Sequence, residues 1–142
     1  MGAFGTILHY DGSDWTPMAS GTTNRLYDVW GSSSTDVFAV GSDGTILHHD
    51  GSDWSGMTSG TTNYLYGVWG SSASDVFAVG SDGTILHYDG SDWSGMTSPS
   101  SRWLYGVWGS SSTDVFAVGG DGTILHYDGS DWSGMTSPTS RW

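Results

Sequence analysis

Hydrophobic and polar positions along the chain recur with a period of 39 residues. The segment Gly-Thr-Ile-Leu-His begins at Gly5, Gly44, Gly83 and Gly122, and polar, glycine-rich stretches separate the apolar ones. In each of the three complete copies one apolar run, 76–79 in the central copy, contains no polar residue. A half-buried strand alternates apolar and polar residues, whereas a strand covered on both faces does not. The pattern therefore predicts a repeated β unit with one fully buried strand.

Each period has room for four short strands joined by tight turns. In the copy at 65–103, the predicted strands span 65–70, 76–80, 84–88 and 93–97. Short links of this kind predict an antiparallel meander. The Ser-Asp-Gly turn before the third strand is expected to place Gly83 at a positive φ. The fourth strand contains Ser, Gly and Thr, which is typical of an exposed edge.

The repeat predicts an all-β fold of β-propeller blades, each a four-stranded antiparallel meander. Radially stacked sheets cover one another on both faces, and the spacing is close to the roughly 40–45 residues of WD-type blades. The predicted units span 1–25, 26–64, 65–103 and 104–142. The first unit is a half-blade with only the third and fourth strands, and the other three are complete blades.

The repeat motif resembles the blades of highly repetitive bacterial β-propellers. It runs Val-Trp-Gly-Ser-Ser (68–72), Asp-Val-Phe-Ala-Val-Gly (75–80), Gly-Thr-Ile-Leu-His-Tyr-Asp-Gly (83–90) and Trp93. It is also similar to the motifs of photosystem II assembly-factor and Asp-box propellers, and its regularity resembles that of designed symmetric propellers. The resemblance covers the whole chain and implies the fold. It implies no binding residues, because the turn Asp-Gly-Ser-Asp-Trp departs from the Asp-box pattern.

The three predicted complete blades of one chain are too few to close a propeller ring. Familiar propellers close with about four to eight blades, and uncovered end blades would expose apolar areas that monomers rarely tolerate. We therefore expect a homo-oligomer, either a dimer or a trimer, that completes a ring. The half-blade is expected either to remain in addition to the complete blades or to displace the third and fourth strands of a neighbouring copy's final blade.

The composition narrows the classes of partner. The formal net charge is −12, with 15 Asp, no Glu, three Arg and no Lys. This charge repels phosphate backbones and anionic lipid surfaces, so neither nucleic acid nor a membrane is an expected partner. No apolar run approaches the roughly 20 residues of a membrane helix, and residues 1–5 do not resemble a signal peptide. The localisation stays open.

Six tryptophans are candidate ligand-binding residues. Three recur on the predicted first strand and three begin the fourth strand: Trp30, Trp69 and Trp108, and Trp54, Trp93 and Trp132. Tryptophan is a large packing residue in blades, and its ring can also serve as a platform for sugars. Packing is the favoured interpretation, and carbohydrate binding is the alternative.

The repeated histidines and aspartates are interpreted as structural. The histidines are His9, His48, His87 and His126, and equivalents on separate blades lie too far apart to share one metal ion. The aspartate pairs are Asp11/Asp14, Asp50/Asp53, Asp89/Asp92 and Asp128/Asp131. Aspartate favours such turns because it accepts hydrogen bonds from nearby backbone N–H groups. We expect neither a metal nor a cofactor.

The repetition also argues against catalysis. No serine lies in a Gly-x-Ser-x-Gly motif, and there is no cysteine. Every candidate residue occurs in three or four copies, whereas an active site is usually one asymmetric constellation. We predict a structural scaffold, not an enzyme, that self-assembles through blade–blade packing into a closed ring. A multivalent carbohydrate-binding module is the alternative.

Overall fold

A computed structural model describes residues 2–138 as a row of antiparallel sheets. The leading pair is β1 (Ile7–Tyr10) and β2 (Trp15–Met18). The first sheet is β3 (Leu26–Ser33), β4 (Asp36–Gly41), β5 (Ile46–His49) and β6 (Trp54–Met57). The second is β7 (Leu65–Ser72), β8 (Asp75–Gly80), β9 (Ile85–Tyr88) and β10 (Trp93–Gly95). The third is β11 (Leu104–Ser111), β12 (Asp114–Gly119), β13 (Ile124–Tyr127) and β14 (Trp132–Gly134).

Each sheet is a meander in which consecutive strands are neighbours. The predicted four-stranded antiparallel unit is therefore confirmed in all three sheets, and the leading pair contains the third and fourth strands alone. Among the described residues, no helix is long and apolar enough to cross a membrane. Met1 and residues 139–142, which end the last predicted unit, lie outside the described residues.

Four strand boundaries in the copy at 65–103 differ from the prediction. Strand β8 begins at Asp75 instead of residue 76, and β9 begins at Ile85 instead of residue 84. Strand β7 continues past Gly70 to Ser72, because Ser72 pairs with Asp75 after a bulge and leaves a two-residue turn. Strand β10 stops at Gly95 instead of Thr97. Its partner strand β9 begins only at Ile85, since the Thr84 N–H donates to the Ser81 carbonyl within the preceding turn. Residues after Met96 thus have no strand to pair with.

The core lies between neighbouring sheets. Along β8, Phe77 and Val79 pack towards the third sheet, whereas Val76 and Ala78 pack towards the first. All four side chains are fully buried. This two-sided burial explains why the strand has no polar position, as the sequence predicted.

The turn between the second and third strands requires a left-handed backbone at two successive residues. Asp82 has φ 55° and Gly83 has φ 69°. A Cβ on Gly83 would lie 1.9 Å from the Ser100 carbonyl oxygen, so only glycine fits there. Phe4 occupies the position of Asp82 in the leading turn with φ 57°. Aspartate tolerates this conformation better than phenylalanine does.

Replacing Phe4 with aspartate, the residue found at the equivalent positions 43, 82 and 121, should stabilise the leading pair by about 1 kcal/mol. Urea unfolding monitored by tryptophan fluorescence measures this difference. Phe4→Leu is the matched control, because it removes the aromatic ring and keeps a residue that disfavours the left-handed region. An equal gain from leucine would contradict the backbone explanation.

The turn between the third and fourth strands is closed by an aspartate side chain. Asp89 Oδ1 accepts hydrogen bonds from the backbone N–H groups of Ser91 and Asp92 at 2.8 and 2.9 Å. The same bonds form at Asp11, Asp50 and Asp128. These donors, first that of Asp92, lower the pKa of the Asp89 carboxyl below its ordinary value. The carboxylates make the bonds that a turn-forming role requires.

The lowered carboxyl pKa makes stability depend on pH. The contribution of Asp89 is present above its unfolded pKa of about 3.9 and is lost as the pH falls through the lower folded value. Asp89→Asn should therefore reduce the free energy of unfolding at pH 7 and have a smaller effect at pH 3. Urea titrations at both pH values test this expectation.

Asp92→Asn is the matched control for this comparison. It removes one charge from the same turn and keeps the backbone N–H that bonds to Asp89. A loss for Asp89→Asn that is the same at both pH values would contradict the charge-dependent explanation.

Candidate functional site

The tryptophans of the first strands pack across the sheet interfaces. Trp30 lies over Gly70 of the second sheet, where an added Cβ would be 2.7 Å from Trp30 Cη2. Trp69 lies over Gly109 of the third sheet in the same way, at 2.6 Å. Trp108 has no following sheet among the described residues, and its side chain is 61% exposed.

The tryptophans of the fourth strands pack in the opposite direction. Trp93 is 8% exposed and meets Phe38 of the first sheet edge-on, with ring centroids 6.0 Å apart. Trp132 makes the equivalent contact with Phe77. Trp54 is half-buried and packs in the cluster that joins the leading pair to the first sheet. Of the six candidate tryptophans, Trp108 thus presents the most open indole surface.

A Ser–Asp–His contact repeats in every complete sheet. In the second sheet, the Ser71 hydroxyl donates to Asp75 Oδ2, and His87 Nε2 lies 2.7 Å from Asp75 Oδ1. The equivalent sets are Ser32, Asp36 and His48, and Ser110, Asp114 and His126. The Ser110 hydroxyl and then His126 hold the pKa of the Asp114 carboxyl below its ordinary value. Each set ties the end of the first hairpin to the third strand.

The order of these groups determines their chemistry. The carboxylate lies between the hydroxyl and the imidazole, so the histidine does not accept the serine proton. In a hydrolytic triad the histidine stands between the other two groups and acts as the base. The His87 ring also packs against Phe77, with centroids 4.7 Å apart. This arrangement suits a structural hydrogen-bond network.

Metal-ligating side chains do not converge in the described part of the chain. No group of three or more His, Asp, Glu or Cys side chains there could hold a metal ion. The first aspartate of each Asp-Gly-Ser-Asp turn directs an oxygen to the backbone N–H groups two and three residues later.

A row of aromatic rings, most of them exposed, crosses the first strands of neighbouring sheets. The sequence interpretation missed this row. This tyrosine ladder consists of Tyr27, Tyr64, Tyr66, Trp103 and Tyr105. Tyr66 is central, with ring centroids 5.2 Å from Tyr27 and 5.5 Å from Tyr105. Burial, followed by the neighbouring tyrosines, raises the pKa of the Tyr66 hydroxyl. The sequence showed only that a tyrosine follows the leucine of each first strand at a spacing of 39 residues.

A cavity of about 640 Å³ lies between the leading pair and the first sheet. This half-blade cavity is lined by His9 from β1 and by Val37, His49 and Trp54 from the first sheet, among others. His49 is buried, and its Nε2 atom has no hydrogen-bond partner in the described residues. The leading pair also lines this space with Leu8 and Trp15.

Comparison with known proteins identifies the fold. The structure described as YCF48 bound to D1 peptide matches with a TM-score of 0.77 and 18% identity, covering 94% of this chain and 46% of that chain. YCF48 from Cyanidioschyzon merolae matches with a TM-score of 0.71 and 21% identity, covering 87% of this chain and 44% of that one. No family model and no curated protein matches the chain.

The chain thus spans less than half the length of these two structures. YCF48 is a photosystem II assembly factor with a β-propeller fold. The resemblance to assembly-factor propellers is confirmed at the level of the fold. The three four-stranded sheets are blades of a β-propeller.

Proposed function

We propose that this chain is a propeller scaffold that closes its ring by end-to-end association with further copies of itself. The proposal is carried by the contact of a first-strand tryptophan with a glycine in the next sheet. At one end of the described array the tryptophan of this contact covers no glycine, and at the other end the glycine is not covered by a tryptophan.

One end carries the tryptophan. Trp108 is exposed on the third sheet, and Val118 beside it is 40% exposed, whereas its equivalent Val79 is fully buried. The other end carries the glycine. The atoms nearest to a Cβ on Gly31 belong to Asp36, Val37 and Ser33, so no indole covers it as one covers Gly70 and Gly109.

These complementary ends favour a head-to-tail contact. An interface between two different patches of the same chain generates a ring when the rotation closes. Burying one large apolar side chain contributes about 2 kcal/mol. The net charge of −12 opposes association between copies, so salt that screens this repulsion should strengthen assembly.

Native mass spectrometry and light scattering should give a particle of two or three times the 15.0 kDa chain mass. Trp108→Ala should shift the particle towards the single chain, because it removes the exposed indole at one end. Tyr64→Ala is the matched control, since it removes an exposed aromatic ring from the tyrosine ladder and leaves the end surface intact. A single-chain mass for the unmodified protein at high concentration and moderate salt would refute the proposal.

Carbohydrate binding is the second candidate, and the exposed tyrosine ladder favours it. Aromatic faces suit the apolar faces of sugars, and the ladder repeats its rings from sheet to sheet. One structural neighbour is described as bound to a peptide, which supports a binding role for this fold.

A glycan array tests the second candidate. Binding should be weakened by Tyr105→Ala, which removes an exposed ladder ring, and retained in Trp108→Ala if the ladder is the platform. Loss in Trp108→Ala alone would instead assign the platform to the originally predicted tryptophans. Silence across a broad array would exclude the carbohydrate proposal.

A further inference from the structure

The half-blade cavity lies where the repeat would place a phenylalanine of a second strand. Between the first and second sheets, the equivalent space is filled by Phe38 from the second strand. Its ring centroid lies 4.7 Å from His48, 5.5 Å from Tyr88 and 6.0 Å from Trp93. The residues 39 positions earlier are His9, His49 and Trp54, and all three line the cavity.

Resting on the proposed ring association, we infer that the second strand of another copy's third sheet completes this half-blade. The junction would be a composite blade, with β11 and β12 from one copy and β1 and β2 from the next. Phe116 on β12 would then enter the half-blade cavity of the next copy.

Strand β12 carries the required side chains. Its sequence, Asp-Val-Phe-Ala-Val-Gly, is the same as that of β4 and β8. Phe116 packs against His126 at 4.6 Å, as Phe38 packs against His48. No sheet lies beyond Phe116 in the described structure. Its phenyl ring therefore lacks the contacts that Phe38 makes with the next sheet.

The leading pair has an unpaired strand edge and an exposed apolar face that are complementary to strand β12. Strand β1 pairs with β2 on one side, and no strand of the described chain pairs with its other side. Leu8, Tyr10 and Trp15 are about half or more exposed. Their repeat equivalents, including Leu125 and Trp132, are buried against the second sheet. The same contacts are therefore available to the leading pair on another copy.

The exchange replaces one segment with an identical one. Residues 6–15 and residues 123–132 have the same sequence, Thr-Ile-Leu-His-Tyr-Asp-Gly-Ser-Asp-Trp. The leading pair therefore offers β12 the same register and side chains as β13 does. The leading pair is also anchored to its own first sheet, since the Leu26 N–H donates to the Gly2 carbonyl at 3.1 Å. These attachments favour its retention at the junction over β13 and β14 of the other copy.

The register of the repeat gives a direct test by disulfide formation. Ala39 lies opposite Leu47, Ala78 opposite Leu86 and Ala117 opposite Leu125. In the composite blade, Ala117 of one copy would lie opposite Leu8 of the next. Directly opposed strand residues have Cα atoms about 4.5–5.5 Å apart, which is within the range of a disulfide.

The chain has no cysteine, so the double variant Leu8→Cys with Ala117→Cys introduces the only pair of thiols. After oxidation, non-reducing electrophoresis should show most of the protein as covalent dimers or trimers that revert with reductant. The matched control, Ala117→Cys with Leu125→Cys, should give little disulfide within one chain, because the exchange separates these two strands.

The outcomes separate this inference from the proposed function. An oligomeric native mass, with no intermolecular disulfide in the first variant and an intramolecular one in the control, would overturn the composite blade and leave ring association standing. A single-chain native mass would refute ring association itself. If the buried Ala117 change prevents folding, Tyr10→Cys with Val115→Cys tests the same junction, since Val115 lies opposite Tyr127 in the chain's own sheet.

Discussion

The packing of a tryptophan on a glycine in the next sheet sets the geometry of the whole array. Trp30 and Trp69 approach Gly70 and Gly109 so closely that a single methyl group would collide with the indole. This contact brings neighbouring first strands together and lets the phenylalanines of the second strands enter the interfaces. Because the contact has a direction, an array built from it has two different ends. The proposed association between copies therefore depends on these ends.

The repeated polar side chains stabilise the individual sheets. The Ser–Asp–His sets tie three strands together, and the Asp turns close the outer hairpin with hydrogen bonds from backbone N–H groups. In the complete sheets, the repeated histidine and the first aspartate of the outer turn thus have partners inside their own sheet. The tyrosine ladder, which crosses the first strands of neighbouring sheets, is an aromatic surface that these networks leave exposed.

Several features were predictable from the residues. The continuous apolar run Val76–Val79 indicated a strand buried on both faces, and Gly83 indicated a left-handed turn. Other features needed the packed structure. The tyrosine ladder was overlooked because a tyrosine beside a buried leucine gives no sign of whether its ring meets other rings. Thr97 lies outside β10 because a turn hydrogen bond at Thr84 makes the partner strand begin only at Ile85.

The sequence by itself determined the repeat, the four strands of each unit and the tight turns, because period, apolar runs and glycine positions are local properties of the chain. Only the tertiary structure decided which tryptophans are buried. Trp69 and Trp108 occupy identical sequence positions, yet one covers a glycine and the other is mostly exposed. The difference arises because burial depends on what lies beside a sheet, and identical repeats differ in their neighbours only after they are stacked.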